Sequence, residues 1–380
     1  MAIELADDDL QLMVSEIQRF CQRSIGPLVE RPARAIEPQE LDRLTDEATA
    51  IGLLNFEAEP GAGLWENLDS SWGTQLSSTA LQSVAQACTG VAYHFHQLAM
   101  GNYLRRCLGL SCGEQTIVCV QGTYGLARHS LARLLKGESL EDGDLRMLSD
   151  YFVRLDSERE NMPLMFQAAG SWQHLLVPCL REEANLVWAL FPREALTVDI
   201  SPHSHGLDET STWLWHPGQE TPQEVITDRE LCLRQYRDAL GINAQALLAI
   251  GLGAVRQGYH KAVEYAAVRV QGGKPIKQHV AVQQMLADCR STIQTVELLL
   301  KSLAELALTA DNLGKVFNVR AQAHNLLCDA ANHVLQVFGG SGYVRETGVE
   351  KIVRDNNHLR LLCGSPSELL LFLSEWESPR

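Results

Sequence analysis

The chain has 380 residues, 46% apolar and 21% charged, with a formal net charge of −15 at neutral pH. That length exceeds one ordinary core and predicts two or three subdomains, and the balance is globular, neither disordered nor fibrous. The acidic excess and the absence of a dense Lys/Arg run exclude nucleic acid as an expected partner.

Asp7, Asp8 and Asp9 occupy the start, where a secretory leader would need positive charge and an apolar run. No apolar stretch is expected to reach the roughly 20 residues that span a bilayer, so the expectation is a cytoplasmic protein without a membrane partner. From Asp9 to about Ile51, Leu10, Met13, Ile17 and Phe20, then Leu41, Leu44 and Ala48, recur at helical spacing. A loop with Pro32 and Pro38 divides them. Residues 57–73 are rich in turn formers, and the helical pattern resumes from Thr79 through Leu108. Residues 1–114 thus read as an N-terminal helical domain. In the next stretch, 115–227, the runs 115–122, 174–180, 184–191, 196–200 and 211–216 predict short strands. They form a small β-domain with a polar helical insert near 127–160, and Trp172, Trp188, Trp213 and Trp215 are its expected core and edge aromatics. From 228 to 380 the helical period returns over 229–270, 275–309 and 316–337, with a shorter amphipathic stretch after Pro366, which predicts an antiparallel four-helix domain. The fold class is α+β, mainly α.

The ten cysteines include no CxxC pair and read as reduced, mostly buried thiols. The pairs His94/His96 and His203/His205 have no carboxylate or cysteine at ligand spacing, so they read as core or surface histidines and no metal is expected.

Two motifs carry a resemblance. The first is Arg269-Val-Gln-Gly-Gly273-Lys-Pro-Ile276; the second is Gln336-Val337-Phe-Gly339-Gly340-Ser-Gly342-Tyr343, followed by Glu346 and Arg354-Asp355. A helix precedes the glycine-rich turn where a dinucleotide loop would need a strand. In this order and at this separation the motifs resemble those of the acyl-CoA dehydrogenases, most closely over residues 240–380. The resemblance implies that Arg269, Gln336, Val337, Gly339 and Gly340, with Ser365, bind FAD, the arginine and the turn reaching the pyrophosphate of a neighbouring protomer's flavin. Glycine lets backbone N–H groups approach an anion, and arginine adds a charged fork. Gly272 stands where the family has an aromatic residue and Val280 where it has a glutamine, which loosens the adenine end.

The resemblance also exposes a gap. Family members remove the α-proton of an acyl-CoA thioester with a carboxylate, a step that general-base catalysis accelerates by roughly a hundredfold to ten-thousandfold. Counting from Arg354-Asp355, the position of that glutamate is Cys363, followed by Gly364 and Ser365. A free thiol has a pKa near 8.5 and a shorter reach, and Cys363 as a nucleophile would need His358 beside it. The family's alternative base position, on the first long helix, is Asn243. The loop that covers the flavin in relatives has no counterpart between about 119 and 165. Gly206-Leu-Asp-Glu-Thr210 is faintly similar to a family turn, with Asp208 in place of arginine. Tyr93 and His94 fall on a helix that passes the acyl pocket in relatives.

Elements serving a neighbour's FAD are kept while those for an own flavin and base are missing. This implies the non-catalytic chain of a heteromeric acyl-CoA dehydrogenase, an α2β2 heterotetramer with a homologous subunit. Such members act on bulky acyl-CoA substrates, as in fatty acid or steroid degradation. A stand-alone flavoenzyme with a different acyl-CoA reaction and a flavin-free scaffold are the alternatives.

Overall fold

The computed structural model describes residues 7–30, 34–57, 59, 61–68, 70–110, 115–120, 127–155, 161–181, 185–201, 204–306 and 310–377. His203, residues 156–160 of the insert and the stretch 121–126, where a flavin-covering loop would fall, lie outside the described residues.

Four helices open the chain: α1 (Asp7–Phe20), α2 (Pro38–Ala50), α3 (Ser71–Ala87) and α4 (Thr89–Leu108). Three of their boundaries have a local cause. Pro38 opens α2 where its missing N–H costs nothing, Ser70 accepts the Gly73 N–H to cap α3, and Gly109, in the left-handed region, closes α4. Ile17, Phe20, Leu41, Leu44 and Ala48 are all buried, as their spacing predicted.

The middle of the chain folds as two sheets. Strands β1 (Thr116–Val118), β2 (Val153–Arg154), β4 (His174–Arg181), β5 (Asn185–Pro192) and β8 (Glu224–Ile226) form one, with β4 flanked by parallel β1 and β2 and by antiparallel β5. The other is antiparallel, in the order β3 (Leu164–Ala168), β7 (Ser211–Trp215), β6 (Val198–Ser201). Aromatic rings fill the space between them: Trp172 and Trp213 meet edge-on at 5.3 Å, and Phe191 of β5 lies 4.9 Å from Trp215 of β7. Trp172, Trp188, Trp213 and Trp215 are all buried. Between β1 and β2 come helices α5 (Arg128–Lys136) and α6 (Asp142–Tyr151), and the Lys136 ammonium sits over the Trp376 ring near the chain's end.

The C-terminal part is built on α7 (Arg229–Val268), a single helix of 40 residues capped by Asp228 accepting the Leu231 N–H. From Cys232 to Val255 it is buried on nearly every side, the mark of a helix at the centre of a fold. Its 18-residue apolar window has a mean hydropathy of 1.4, enough by length and composition for a membrane span, and all of that window is buried inside the protein. This corrects the expectation that no such stretch exists: Ala, Leu, Ile and Gly dominate here because helices pack on every face. Gly253 marks the closest approach, since a Cβ there would stand 2.4 Å from the Gln82 carbonyl of α3.

After α7, strands β9 (Val270–Gln271) and β10 (Lys274–Pro275) pair across Gly272 and Gly273, whose φ values of 62° and 79° make the two-residue turn that tight hairpins require. Helix α8 (Val280–Ala304) therefore starts five residues later than the periodicity predicted. Helix α9 (Ala310–Phe338) runs parallel to α7, Tyr265 stacking on Phe338 at 4.3 Å at their shared end. Helices α10 (Val349–Leu361) and α11 (Pro366–Glu377) make the return leg, with Phe372 against Phe317 and Trp376 against Gly314.

Candidate active-site cavity

The return leg breaks between α10 and α11. Cys363 has φ 53° and Gly364 φ 99°, so a non-glycine side chain is held in left-handed backbone, a strain that persists only where its surroundings fix it. What fixes it is Arg320 of α9, 1% exposed, whose guanidinium donates to the carbonyls of Leu362 and, at 2.9 Å, of Cys363. Ser365 then caps α11: its hydroxyl and N–H both donate to Glu368, which returns its own N–H to the Ser365 hydroxyl. The Ser365 side chain, expected to serve the cofactor, is engaged in that cap.

The break delivers Cys363 to a cavity of about 590 Å3 walled by α4, β1, β3, α7 and α10. Asn243 lines the same cavity, and its amide interacts with the Cys363 sulfur. The two positions where relatives carry the base, 120 residues apart in sequence, therefore meet in one place. Among the described residues that line it there is no aspartate or glutamate.

Hydrogen bonding sets the polarity of the wall. Trp65 Nε1 can only donate, and it donates to His96 Nδ1 at 2.9 Å. The His96 proton therefore sits on Nε2, which donates to Asn243 Oδ1 at 2.9 Å. That fixes the Asn243 amide with its NH2 group toward Cys363. Burial pushes the His96 pKa down to about 4, so the imidazole is neutral. The Cys363 thiol donates to the Val120 carbonyl at 2.9 Å, and burial pushes its pKa up to about 11. His358 accepts the Gly206 N–H on Nδ1 at 3.4 Å. The thiol's own hydrogen-bond partners are thus Val120 and Asn243, not His358, and the arrangement does not make it a nucleophile. Tyr93 faces the cavity beside Gln97, whereas His94 turns to Thr45 at 3.0 Å in the helical core.

The first half of α10 does different work. Arg354 grips Asp208 with two bonds of 2.7 and 2.9 Å and also holds Glu350. Lys351 bridges Glu209 and Asp355 at 3.1 and 3.0 Å, and Asp355 accepts the Leu207 N–H. Burial opposes the charge on Lys351, but Asp355 and Glu209 outweigh it and hold its pKa well above the usual lysine value. Asp208, where relatives have arginine, is thus the partner of Arg354, and the 206–210 turn is pinned to α10. Of these, Glu209, Lys351 and Asp355 line a second cavity, of about 790 Å3, whose described lining includes four carboxylates: Glu30, Glu209, Glu346 and Asp355. Sequence reasoning missed Trp65, Arg320, Lys351 and Arg360; only the i,i+4 spacing of Lys351 and Asp355 announced a pair.

At the far end of α7, Arg269 is exposed and its backbone closes the hairpin by accepting the Ile276 N–H. Gln336 is exposed; Val337 is buried, so only its backbone is available to a ligand. Gly339, at φ 58°, and Gly340 have nothing within 4 Å of where a Cβ would stand.

Residues 233–373 match the family model described as acyl-CoA dehydrogenase, C-terminal domain. Cyclohex-1-ene-1-carbonyl-CoA dehydrogenase of Geobacter metallireducens is 31% identical over 157 residues, 40% of this chain and 41% of that protein. A 3-sulfinopropanoyl-CoA desulfinase of Advenella mimigardefordensis is 31% identical over 107 residues, 28% of this chain and 27% of that protein. The chain thus aligns with about two fifths or less of the length of these relatives. In fold the likeness spans nearly the whole chain: a glutaryl-coenzyme A dehydrogenase in complex with glutaryl-CoA superposes with a TM-score of 0.72 at 15% identity, over 98% of this chain and 96% of that one.

Proposed function

Because the chain belongs to the acyl-CoA dehydrogenase family, in fold along its length and in sequence over its C-terminal domain, we propose that it is the non-catalytic subunit of a cytoplasmic, FAD-dependent acyl-CoA dehydrogenase. It pairs with a homologous chain as an α2β2 heterotetramer and completes that partner's flavin site. The observation that supports this reading is the cavity in which both base positions meet with no carboxylate among the described lining residues. An amide cannot take the α-proton, and a thiol with a pKa near 11 is ionised in about one molecule in ten thousand at pH 7.

FAD, when bound, supplies the hydride acceptor. The outward-facing elements of this chain fit its pyrophosphate: Arg269 projects an exposed guanidinium, and Gly339 and Gly340 leave their backbone open to a close approach. The role of this chain is to hold and orient that group from outside the partner's site and to screen it from water.

The test is the visible spectrum and native mass of the chain purified alone and co-expressed with a homologous dehydrogenase chain. Flavin and a heterotetramer appearing only together support the proposal. In that complex Arg269→Ala lowers bound flavin severalfold while the melting temperature of the chain alone stays unchanged. Stoichiometric flavin in the chain alone refutes the shared site. That outcome would favour a stand-alone enzyme of a different acyl-CoA reaction, a reading supported by relatives named as 3-sulfinopropanoyl-CoA desulfinases, whose named reaction is not a dehydrogenation.

A further inference from the structure

Lys351 is committed to the fold, held between Glu209 and Asp355; a second lysine enters the same cavity and is not. Lys261, near the end of α7, is half-buried, and its Nζ makes one long hydrogen bond, of 3.5 Å, to the Thr347 carbonyl just before α10. It forms no ion pair with any described residue. Glu30, Arg34 and Glu346 are exposed members of the lining, so the cavity opens to solvent. Burial without a counter-ion favours the neutral amine and pushes the Lys261 pKa below the usual lysine value. Val29, Ala85, Ala254 and Ile352 add apolar surface to the lining, and a volume of about 790 Å3 leaves room for a short acyl chain. An unpaired, partly desolvated amine is a nucleophile toward a carbonyl carbon. Acyl thioesters are the electrophiles that relatives of this chain are named for handling.

We propose that Lys261 is an acylation site, modified by short-chain acyl thioesters without a second enzyme. The neutral amine attacks the thioester carbonyl, the C–N bond forms as the C–S bond breaks, and the thiolate leaves and takes up the proton that the amine sheds. The product is an uncharged amide on a side chain with no ion pair to lose. Lys351, with an acid on either side, stays protonated and unmodified. The site lies on the other side of α10 from Cys363 and Asn243, and the proposal is independent of which chain holds the flavin.

The test incubates the full chain at pH 7.5 with acetyl-CoA and, separately, with S-acetyl-N-acetylcysteamine, a thioester without a nucleotide, and quantifies acetylation of each lysine by mass spectrometry. The expected result with both donors is Lys261 modified at least tenfold faster than the exposed Lys277 and Lys301, with Lys351 unmodified and the preference gone in urea. Gln257→Glu places a carboxylate one turn before Lys261 in the lining of the same cavity. The new i,i+4 pair holds the proton on the amine and slows its labelling at least fivefold, with Lys277 and Lys301 unchanged and the fold verified by circular dichroism. Lys261 labelled no faster than the exposed lysines, Lys351 labelled as fast as Lys261, or a rate unmoved by Gln257→Glu overturns the proposal. A preference seen with acetyl-CoA and not with the small thioester would assign the rate to nucleotide binding and overturn it too.

Discussion

The two cavities that flank α10 hold opposite arrangements of charge within thirteen residues. In the larger, Glu209 and Asp355 are buried and bridged by Lys351. In the smaller, Arg360 has no hydrogen-bond or ion-pair partner, and no acid is present, among the described residues. The difference separates charge that holds the fold from charge left available to a ligand: the first is satisfied internally, the second is not.

The largest effect that would sharpen this comparison is expected at Lys351. Lys351→Met leaves two buried carboxylates uncompensated and should cost about 3–5 kcal/mol, read as a lower urea midpoint. A loss under about 1 kcal/mol would break the assignment of that cavity to structure. Because its folded pKa is raised, the contribution of Lys351 is fully present below the unfolded lysine value and is lost only as pH rises toward the folded one.

Next comes the relay beside the smaller cavity. His94 and His96 are neutral in the fold, with pKa values pushed by burial to about 4. The depressed folded values mean that their contribution is present above pH 6.5 and lost as pH falls from there toward 4, by up to about 3 kcal/mol for each histidine. Urea midpoints at pH 7.5, 5.5 and 4.5 check this, and His96→Asn should flatten the slope. A midpoint constant across that range would mean that the ring is charged in the fold and that the orientation of Asn243 is wrongly assigned.

The smallest effect concerns Cys363. Its alkylation by iodoacetamide, followed by mass spectrometry, should be slow at pH 7 and rise about tenfold per pH unit up to about pH 10, as expected of a thiol near pKa 11. Rapid labelling at neutral pH would restore the cysteine as a reactive group.

Much of this was legible in the sequence, and unevenly. The helices were legible because periodicity is a local signal: α7 ends within two residues of its expected boundary. Strand β3 was missed, since Leu164 to Ala168 is a short run whose strand character comes from pairing with β7, some 45 residues away. The hairpin after Arg269 was not anticipated: Gly272 was noted only as standing in place of an aromatic residue, because sequence alone does not say that both glycines take positive φ. In the candidate site, the missing base at Cys363 and Asn243 could be counted from motifs. The contact between them, the Trp65–His96 relay and the Lys351–Glu209 bridge could not, because each joins residues that only the tertiary fold brings together.

Helix α7 is also a yardstick. Asn243 and Arg269 lie on one uninterrupted rod, and 26 residues at 1.5 Å each set them about 39 Å apart. In the proposed reading, the exposed arginine therefore serves the partner's flavin far from the cavity that Asn243 lines, and one rigid helix fixes the spacing between the two.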